Sequence, residues 1–465
     1  MTCVSAIVAL GAVCAACGGQ LPALSSDPSA FGSPLSAVSS RPPTVSAWLP
    51  VASPRLSAIS VQSRPAAVAA VAQGGAGEQL LHEPALAAAV ARIREDEPQV
   101  LDEQRQLCEV PAPPFGEAAR AAVLRARFEA LGLTGVRIDA AGNVLGERRG
   151  LAAHPHLVLA AHLDTVFPEG TPVKTTRAGA VLRGPGIADD CRGLAVMLAV
   201  IRALDAARVQ TGGTITFAGT VGEEGLGDLR GVKHLFEERR GEVDAFVSVD
   251  GAGMGITRIA VGSLRYRVTF SGRGGHSYGD FGIANPMHAM GRAIARIADL
   301  PVPRTPRTTF NVGRIGGGTS VNAIASSVWM EVDLRSSDPA ALGRLDAALA
   351  RALAEAVAEE NRRGIAGPGV AVETRAVGNR PGGSTPSGAA IVAAAASITT
   401  ALGGSAVPGE GSTDANIPIN LGVPAITIGG GGSAEGTHTS AEAFDSTDSW
   451  RGTARALLLT VALAR

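Results

Sequence analysis

The sequence is poor in aromatic residues and carries almost no net charge. Aromatic residues make up 3% of its 465 residues, and the formal net charge is −1 at pH 7. Nucleic-acid binding generally relies on a basic surface, and recognition of single strands relies on aromatic side chains that stack on bases. The composition therefore argues against a nucleic-acid partner. Hydrophobic residues, at 46%, and charged residues, at 18%, are typical of a globular protein, and the length predicts two or three domains.

Cysteine is scarce as well. Of the five cysteines, Cys3, Cys14 and Cys17 lie close to the start of the chain, whereas Cys108 and Cys191 lie in the body of the sequence. Two isolated cysteines provide neither a disulfide framework nor the paired spacing of a zinc finger. We therefore predict that both are reduced, and that any metal ion is bound by histidine and carboxylate side chains.

The first residues have features of an export signal. Residues 4–16 (VSAIVALGAVCAA) are apolar, too few to span a bilayer as a helix, and are followed by Cys17 and two glycines. This pattern predicts a lipoprotein-type signal over residues 1–19, with export and a lipid anchor on Cys17. No lysine or arginine precedes Arg41, so a cytoplasmic protein with an N-terminal extension is the alternative. Residues 20–79, rich in serine, proline and alanine, are predicted to be a disordered tether.

Apolar strands that alternate with amphipathic helices predict an α/β fold. Runs without polar interruption are typical of strands buried on both faces. The main predicted helices and strands of this kind are residues 84–108, 117–131, 157–161, 193–207, 214–218 and 244–249.

The pattern changes from about residue 262. The predicted order there is strand, helix, two strands, helix and strand, which is the β-α-β-β-α-β order of a ferredoxin-like domain. We therefore predict a catalytic domain made of residues 80–261 and 379–465, with a mixed, mostly parallel sheet flanked by helices. Residues 262–378 are predicted to form a smaller domain inserted into it.

Acidic residues and histidines follow several predicted strands, where α/β folds place their sites. In an extended chain, residues i and i+2 face the same side, so Asp164 can hold one ring nitrogen of His162 and leave the other for a metal ion. Adjacent glutamates can divide their roles between metal binding and proton transfer. Each pair alone is more often a structural or solvated feature. The candidates are His162, Asp164, Asp189, Asp190, Glu223, Glu224, Asp250, His276 and His438.

The joint order of these motifs resembles that of the di-zinc exopeptidases and deacylases. This family includes carboxypeptidase G, tripeptide aminopeptidase (peptidase T), acetylornithine deacetylase and succinyl-diaminopimelate desuccinylase. The resemblance covers about residues 85–465. It is carried by HLDTV (162–166), GPGIADD (184–190), GEEG (222–225), VDG (249–251), GRGGHS (272–277), VNAI (321–324), DLRS (333–336), STDAN (412–416) and GTHTS (436–440).

The resemblance implies two Zn²⁺ per chain, which Co or Mn could replace. It implies that His162 and Asp250 bind one ion, that Glu224 and His438 bind the other, and that Asp189 bridges the two. Histidine nitrogen and carboxylate oxygen are ligands that zinc prefers.

Further roles are implied within the same domain. Asp164 would orient His162, and Glu223 would be the general base of the reaction. The resemblance also implies a cis peptide bond between Asp189 and Asp190.

The inserted domain would serve as a lid and dimerisation domain. The resemblance implies that His276 comes from this lid, often in the partner subunit of a homodimer, to stabilise the oxyanion. Asn322 and Arg335 match positions that hold substrate oxygens, and the planar fork of Arg335 suits a carboxylate.

Some positions depart from the pattern of the family. Cys191 stands where many members have lysine, whereas Asp250 and the STDAN run favour the tripeptide aminopeptidase branch. The sequence thus predicts a zinc-dependent metallopeptidase that acts on small peptides, with an aminopeptidase or tripeptidase preference. An N-acyl amino acid deacylase or a carboxypeptidase is the alternative, and a non-catalytic peptide-binding lipoprotein is a remote one.

Overall fold

The fold is described by a computed structural model that covers residues 75–365 and 367–465. The predicted signal over residues 1–19 and nearly all of the predicted tether lie outside the described residues. Among the described residues, no helix is both long enough and apolar enough to cross a membrane. Their α-helices are, in chain order, α1 (Ala76–His82), α2 (Pro84–Cys108), α3 (Ala118–Ala130), α4 (Cys191–Ala206), α5 (Arg230–Glu238), α6 (Pro286–Ala298), α7 (Pro339–Arg363), α8 (Ala390–Ala401), α9 (Asn416–Asn420) and α10 (Trp450–Leu463).

The strands of the described residues belong to four sheets. In chain order they are β1 (Thr134–Ile138), β2 (Val144–Arg148), β3 (Leu157–His162), β4 (Thr176–Ala178), β5 (Val181–Arg183), β6 (Ile215–Thr220), β7 (Ala245–Val249), β8 (Ile256–Ala260), β9 (Gly262–Ser271), β10 (Gly275–His276), β11 (Thr308–Gly317), β12 (Ala323–Ile324), β13 (Ser327–Ser336), β14 (Ala371–Arg380), β15 (Gly383–Ser384), β16 (Pro408–Gly411), β17 (Ala425–Ile428), β18 (Ser433–Glu435) and β19 (Ala443–Asp445).

The largest sheet has nine strands in the order β1-β2-β6-β3-β7-β17-β8-β15, and β16 pairs with β8. The strands β6, β3, β7 and β17 are parallel neighbours at its centre, whereas β2 and β8 run antiparallel on either side. This arrangement confirms the predicted α/β class with a mixed, mostly parallel sheet. Every residue of β3 and β6 is buried, which explains why the sequences of these strands do not alternate between apolar and charged residues.

Hydrophobic cores lie on both faces of this sheet. Successive side chains of a strand point to opposite faces. Leu157 and Leu159 therefore join the core that contains much of α4 and α10, whereas Val158 joins the core that contains Leu235 of α5. The central strands therefore lie between two layers of helices. The polar candidate residues lie in loops that follow the ends of these strands.

A separate four-stranded antiparallel sheet has the order β11-β13-β9-β14. Helices α6 and α7 pack against one of its faces, and Val268 and Phe270 lie in the core between them. The long elements follow one another along the chain as β9, α6, β11, β13, α7 and β14. This unit has a hydrophobic core of its own.

The two cysteines in the body of the chain form a disulfide bond, so the prediction that they are reduced was wrong. The bond joins Cys108, at the end of α2, to Cys191, at the start of α4, with 5.5 Å between their Cα atoms. Both side chains are fully buried. No local pattern indicates this pairing, because the two residues are 83 positions apart.

Replacing both Cys108 and Cys191 by alanine is expected to lower the free energy of unfolding by about 2–4 kcal/mol, because a cross-link over a long loop restricts the unfolded chain. Urea unfolding of the variant and of the wild type in the absence of reductant measures this difference. Mass spectrometry of a non-reduced digest should detect the linked pair of peptides in the wild type. An unlinked pair and an unchanged urea midpoint would contradict the assignment.

Candidate metal centre

Three neighbouring strands bring predicted site residues to one edge of the nine-stranded sheet. His162 is the last residue of β3, Glu223 and Glu224 follow β6, and Asp250 follows β7. Since β3 lies between β6 and β7 and all three are parallel, their carboxyl ends meet at the same edge.

The five predicted metal ligands form two groups that share Asp189. Nε2 of His162 lies 2.9 Å from Oδ1 of Asp189 and 3.9 Å from Oδ1 of Asp250. Nε2 of His438 lies 3.1 Å from Oδ2 of Asp189 and 3.0 Å from Oε1 of Glu224. Within each group of three, the candidate ligand atoms all lie within 4.8 Å of one another. Each group offers one imidazole nitrogen and two carboxylates, a donor set that fits a zinc ion.

Burial and crowding of carboxylates perturb the acidities of this cluster. Burial raises the pKa of Asp250 to about 7, and the charge of Asp189 adds to the increase. Burial likewise raises the pKa of Glu223 well above its usual value, although the charge of Arg380 opposes the rise. Hydrogen bonds to Asp189 and Glu224 raise the pKa of His438 to about 10. The cluster therefore holds more negative charge than its burial favours, which a bound cation would offset.

His438 lies at the open side of the cluster. Its side chain is 52% exposed, whereas that of His162 is 1% exposed. The backbone of His438 has a φ of 68°, in the left-handed region that residues other than glycine seldom adopt. Such strain is tolerated where the surroundings fix a functional side chain. A ligand entering from solvent would therefore meet the His438 side of the cluster first.

The loop that carries Asp189 is held by a second, buried carboxylate. The peptide bond between Asp189 and Asp190 is cis, as predicted. Glu442 accepts hydrogen bonds from the backbone N–H groups of Gly186, Ala188 and Asp189. This role of Glu442 was not predicted from the sequence. The one feature that could have indicated it is the position of this acid, two residues after the GTHTS run.

Asp190 connects the loop to the adjacent strands. Its carboxylate accepts hydrogen bonds from the backbone N–H groups of His162, Gly193 and Gly251. These residues lie at the end of β3, in the first turn of α4 and next to Asp250. Asp190 thus fixes the backbone next to the candidate ligands His162 and Asp250. It belongs to neither of the two ligand groups itself.

Asp164 contacts the ring of His162 more closely through its backbone oxygen than through its side chain. Nδ1 of His162 lies 2.9 Å from the backbone carbonyl oxygen of Asp164 and 3.9 Å from its carboxylate. The carboxylate instead accepts hydrogen bonds from the backbone N–H groups of Glu223 and Glu224. Asp164 therefore leaves Nε2 of His162 directed at the cluster and also holds the loop of the two glutamates.

Glu223 lies beside the cluster and is paired with an arginine that the sequence did not reveal. Its exposed fraction is 5%, and Nη1 of Arg380 donates to its Oε1 at 3.0 Å. Nη2 of Arg380 donates to the backbone carbonyl oxygen of the same residue. Glu223 also belongs to a group of possible ligands with His162 and Glu224.

His276 and Asn322 lie close together in the structure. β10, which ends at His276, pairs with β12, and the N–H of Ser277 donates to the backbone oxygen of Asn322. The ring of His276 is exposed, and its Nδ1 accepts from the N–H groups of Tyr278 and Gly279. Among the described residues, no hydrogen bond or ion pair joins His276 to the five ligands.

Arg335 lies at the other end of the four-stranded sheet. It pairs with Ser263 across β13 and β9, near the point where the chain enters this sheet. Its Nε donates to the carboxylate of Asp333 at 2.7 Å, and its side chain is 42% exposed. The guanidinium group is thus partly available to a further partner.

Comparison with known proteins identifies the family. The sequence profile described as peptidase family M20/M25/M40 matches residues 158–462. The chain belongs to this family. Its members are hydrolases that act on peptide and other amide bonds and depend on metal ions, and the chain is therefore a hydrolase of this class.

Relatives of the chain agree with this family. The uncharacterized protein YqjE of Bacillus subtilis (strain 168) is 27% identical over 75% of this chain and 93% of its own length. Carboxypeptidase G2 of Pseudomonas sp. (strain RS-16) is 28% identical over 47% of this chain and 55% of its own length. Succinyl-diaminopimelate desuccinylase of Leptothrix cholodnii is 31% identical over 47% of this chain and 62% of its own length. The matches to the last two thus span little more than half of those proteins.

Solved structures share the fold. A tripeptidase from Staphylococcus aureus is 23% identical, with a TM-score of 0.65 over 79% of this chain and 98% of that one. Aminopeptidase PepT from Bacillus cereus is 25% identical, with a TM-score of 0.60 over 78% and 97%. The Bacillus subtilis YXEP protein, described as a dinuclear metal binding peptidase from the M20 family, is 18% identical, with a TM-score of 0.57 over 80% and 98%.

Proposed function

We propose that this hydrolase is a zinc-dependent metallopeptidase that cleaves an amide bond of a small peptide with two metal ions. The observation that carries the proposal is the position of Asp189, whose two carboxylate oxygens face different histidines, His162 and His438. A carboxylate shared in this way is suited to bridge two cations. Asp250 would complete one site and Glu224 the other.

The reaction would use Glu223 as its general base. When bound, the two ions would polarise the scissile carbonyl group and lower the pKa of the attacking water. Glu223 accepts a proton from this water as it attacks, and returns the proton to the leaving amine as the amide bond breaks. Asp164 holds the N–H group of Glu223 and so fixes the backbone of the base. Arg335 binds a carboxylate oxygen of the substrate. Asn322, which lies beside His276, binds a substrate oxygen at the cluster to which that histidine is delivered.

The inserted unit, residues 262–378, is proposed to be a ferredoxin-like lid and dimerisation domain. Arg335 pairs with Ser263 at one end of its sheet, and Ser327 pairs with Ser271 at the other end, which leads to β10. Eight residues of β9 separate these ends (271 − 263), or roughly 26 Å at about 3.3 Å per residue. The length of the sheet is fixed. If the lid places Arg335 near the metal cluster of the same chain, it therefore holds His276 far from that cluster. A partner's lid in a homodimer would supply the histidine instead.

His276→Ala is therefore expected to depress kcat strongly without changing metal content, because the residue stabilises the oxyanion and binds no metal ion. Removing one such donor typically costs about 10²–10³-fold. Mixing inactive His276→Ala subunits with inactive Glu223→Gln subunits should restore part of the activity, since one site of a mixed dimer then has both groups. Mixtures of each variant with itself are the control. No recovery in verified mixed dimers would contradict delivery by the partner.

The preferred substrates are proposed to be short peptides with a free amino end. Asp250 and the STDAN run support this preference, as does the likeness to aminopeptidase PepT, whereas the likeness to carboxypeptidase G2 supports the alternative of a carboxypeptidase or deacylase.

A substrate panel tests the proposed function. Zinc-loaded protein is incubated with free dipeptides and tripeptides, with N-acylated amino acids, and with peptides whose C-terminus is blocked. We expect cleavage of the free and C-terminally blocked peptides. Cleavage restricted to N-acylated substrates or to free C-termini would favour the alternatives. Peptide binding without any cleavage would favour a non-catalytic peptide-binding protein.

A further inference from the structure

The chain leaves the four-stranded sheet at a buried arginine. Arg380 is the last residue of β14 and pairs with Ser263, at the end of this sheet where the chain also enters it. Its exposed fraction is 3%, although arginine is seldom buried to this degree without a partner. Shortly afterwards, β15 joins the nine-stranded sheet by pairing with β8. Arg380 therefore lies at the junction of the two sheets.

The guanidinium group of Arg380 holds Glu223 at two points. Nη1 donates to Oε1 of the Glu223 carboxylate at 3.0 Å, and Nη2 donates to the backbone carbonyl oxygen of Glu223. One rigid planar group thus fixes the side chain of Glu223 relative to its own backbone. Lysine, with a single nitrogen on a flexible stem, would not fix both atoms in this way.

Other contacts anchor the same loop to the same end of the four-stranded sheet. Nη1 of Arg265, on β9, donates to the backbone oxygen of Gly225. The N–H of Asn379, on β14, donates to the carboxylate of Asp228 at 2.7 Å, and Lys233 bonds both Asp228 and the backbone oxygen of Asn379. The loop after β6 is therefore held by two strands of the inserted unit as well as by Asp164.

We propose that Arg380 is a positioning residue that sets the orientation of the Glu223 carboxylate and couples it to the inserted four-stranded sheet. The inference rests on the proposed function of Glu223 as general base. Both charges are buried, so removal of Arg380 leaves a buried carboxylate without its partner and free to turn away from its present position. Misplacement of a reacting group by about 1 Å can cost roughly 10²-fold in rate.

The first test compares Arg380→Lys and Arg380→Ala with the wild type on the substrate found in the panel. We expect kcat to fall by about 10²-fold in the alanine variant, with KM and metal content unchanged, because substrate and metal ions are bound by other residues. The lysine variant should lose less. Guanidinium chloride at a non-denaturing concentration should restore part of the kcat of Arg380→Ala.

Arg455→Lys is the matched control. Arg455 is also buried, but its guanidinium group donates to the backbone oxygens of Met254, Gly255 and Gly429 rather than to a carboxylate. Its replacement should lower the thermal unfolding midpoint and leave kcat close to that of the wild type. An equal fall of kcat in Arg455→Lys would show that loss of any buried arginine suffices, and would overturn the proposal.

A double-mutant cycle separates this inference from the proposed function. Arg380→Gln should lower the unfolding midpoint by several degrees, and Glu223→Gln in the same chain should restore part of it, because the unpaired buried charge is then removed. If Glu223→Gln alone keeps its kcat, the proposed base is wrong. If Glu223→Gln is inactive while Arg380→Lys and Arg380→Ala keep their kcat, the positioning role of Arg380 is wrong. The same holds if guanidinium restores none of the kcat of Arg380→Ala.

Discussion

Glu223→Gln is expected to lower kcat by about 10²–10⁴-fold while both metal ions remain bound. Glutamine has nearly the same shape as glutamate and can still accept the hydrogen bond from Arg380 that Glu223 accepts. It cannot take a proton from the attacking water, so the variant should bind substrate and fail to turn it over. Steady-state kinetics on the substrate found in the panel, together with elemental analysis of the same sample, measure both quantities.

The control for this change is Glu373→Gln. Glu373 lies on β14 and is exposed, so the same change of chemical group there should alter neither kcat nor metal content. Near wild-type kcat in Glu223→Gln would show that another group accepts the proton. Loss of metal from Glu223→Gln would instead identify Glu223 as a metal ligand. This is the alternative role for Glu223, because its carboxylate lies within one group of possible ligands with His162 and Glu224.

Asp189→Asn is expected to weaken both metal sites together. Asp189 is the only residue that belongs to both ligand groups among the described residues, with one oxygen near His162 and the other near His438. Asparagine keeps one oxygen but loses the charge and the second oxygen. Loss of groups that only support a ligand costs about 10–100-fold in metal affinity, so loss of a bridging ligand should cost at least about 10²-fold.

Two single-site variants provide the comparison. Asp250→Asn and Glu224→Gln each alter one ligand group, so each should weaken one ion and leave the other bound. Isothermal titration calorimetry of each metal-free protein with zinc measures the affinity of each site, and so distinguishes one weakened site from two. If Asp189→Asn still binds two ions with wild-type affinity, the shared position of its carboxylate is not a bridge.

The sequence predicted the centre of the fold well. The strand Leu157–His162 and the helix Pro84–Cys108 were predicted within a residue of their observed bounds, because long apolar or amphipathic segments carry a strong local signal. Short strands such as Ser433–Glu435 were not predicted. The three partly exposed residues of this strand show no periodicity. The strand pairs with the nearby Ala443–Asp445, which in turn pairs with Val181–Arg183 from a distant part of the chain.

The candidate metal ligands were also accessible from sequence, since each lies in a short motif next to a predicted strand. The residues that support them were not. Arg380 and Glu223 are 157 positions apart, and Glu442 lies 254 positions from Ala188. Such contacts depend on how the chain packs and leave no mark in either local segment. The disulfide between Cys108 and Cys191 was missed for the same reason.

The placement of His276 shows a further limit of local patterns. The Gly-rich motif around His276 indicated a functional loop. It carried no information on whether this histidine acts at the metal cluster of its own chain or at that of a partner subunit. Only the length of β9 and its pairing with β13 set the two ends of the inserted unit apart, with Arg335 at one end and β10 leading to His276 at the other.

The central claim is that two metal ions bind at the cluster built around Asp189. Elemental analysis of protein purified without chelator and supplied with zinc, then freed of unbound metal, tests it most directly. The account predicts close to two zinc ions per chain, and close to none in Asp189→Asn under the same conditions. A single ion per wild-type chain, or none, would contradict the account.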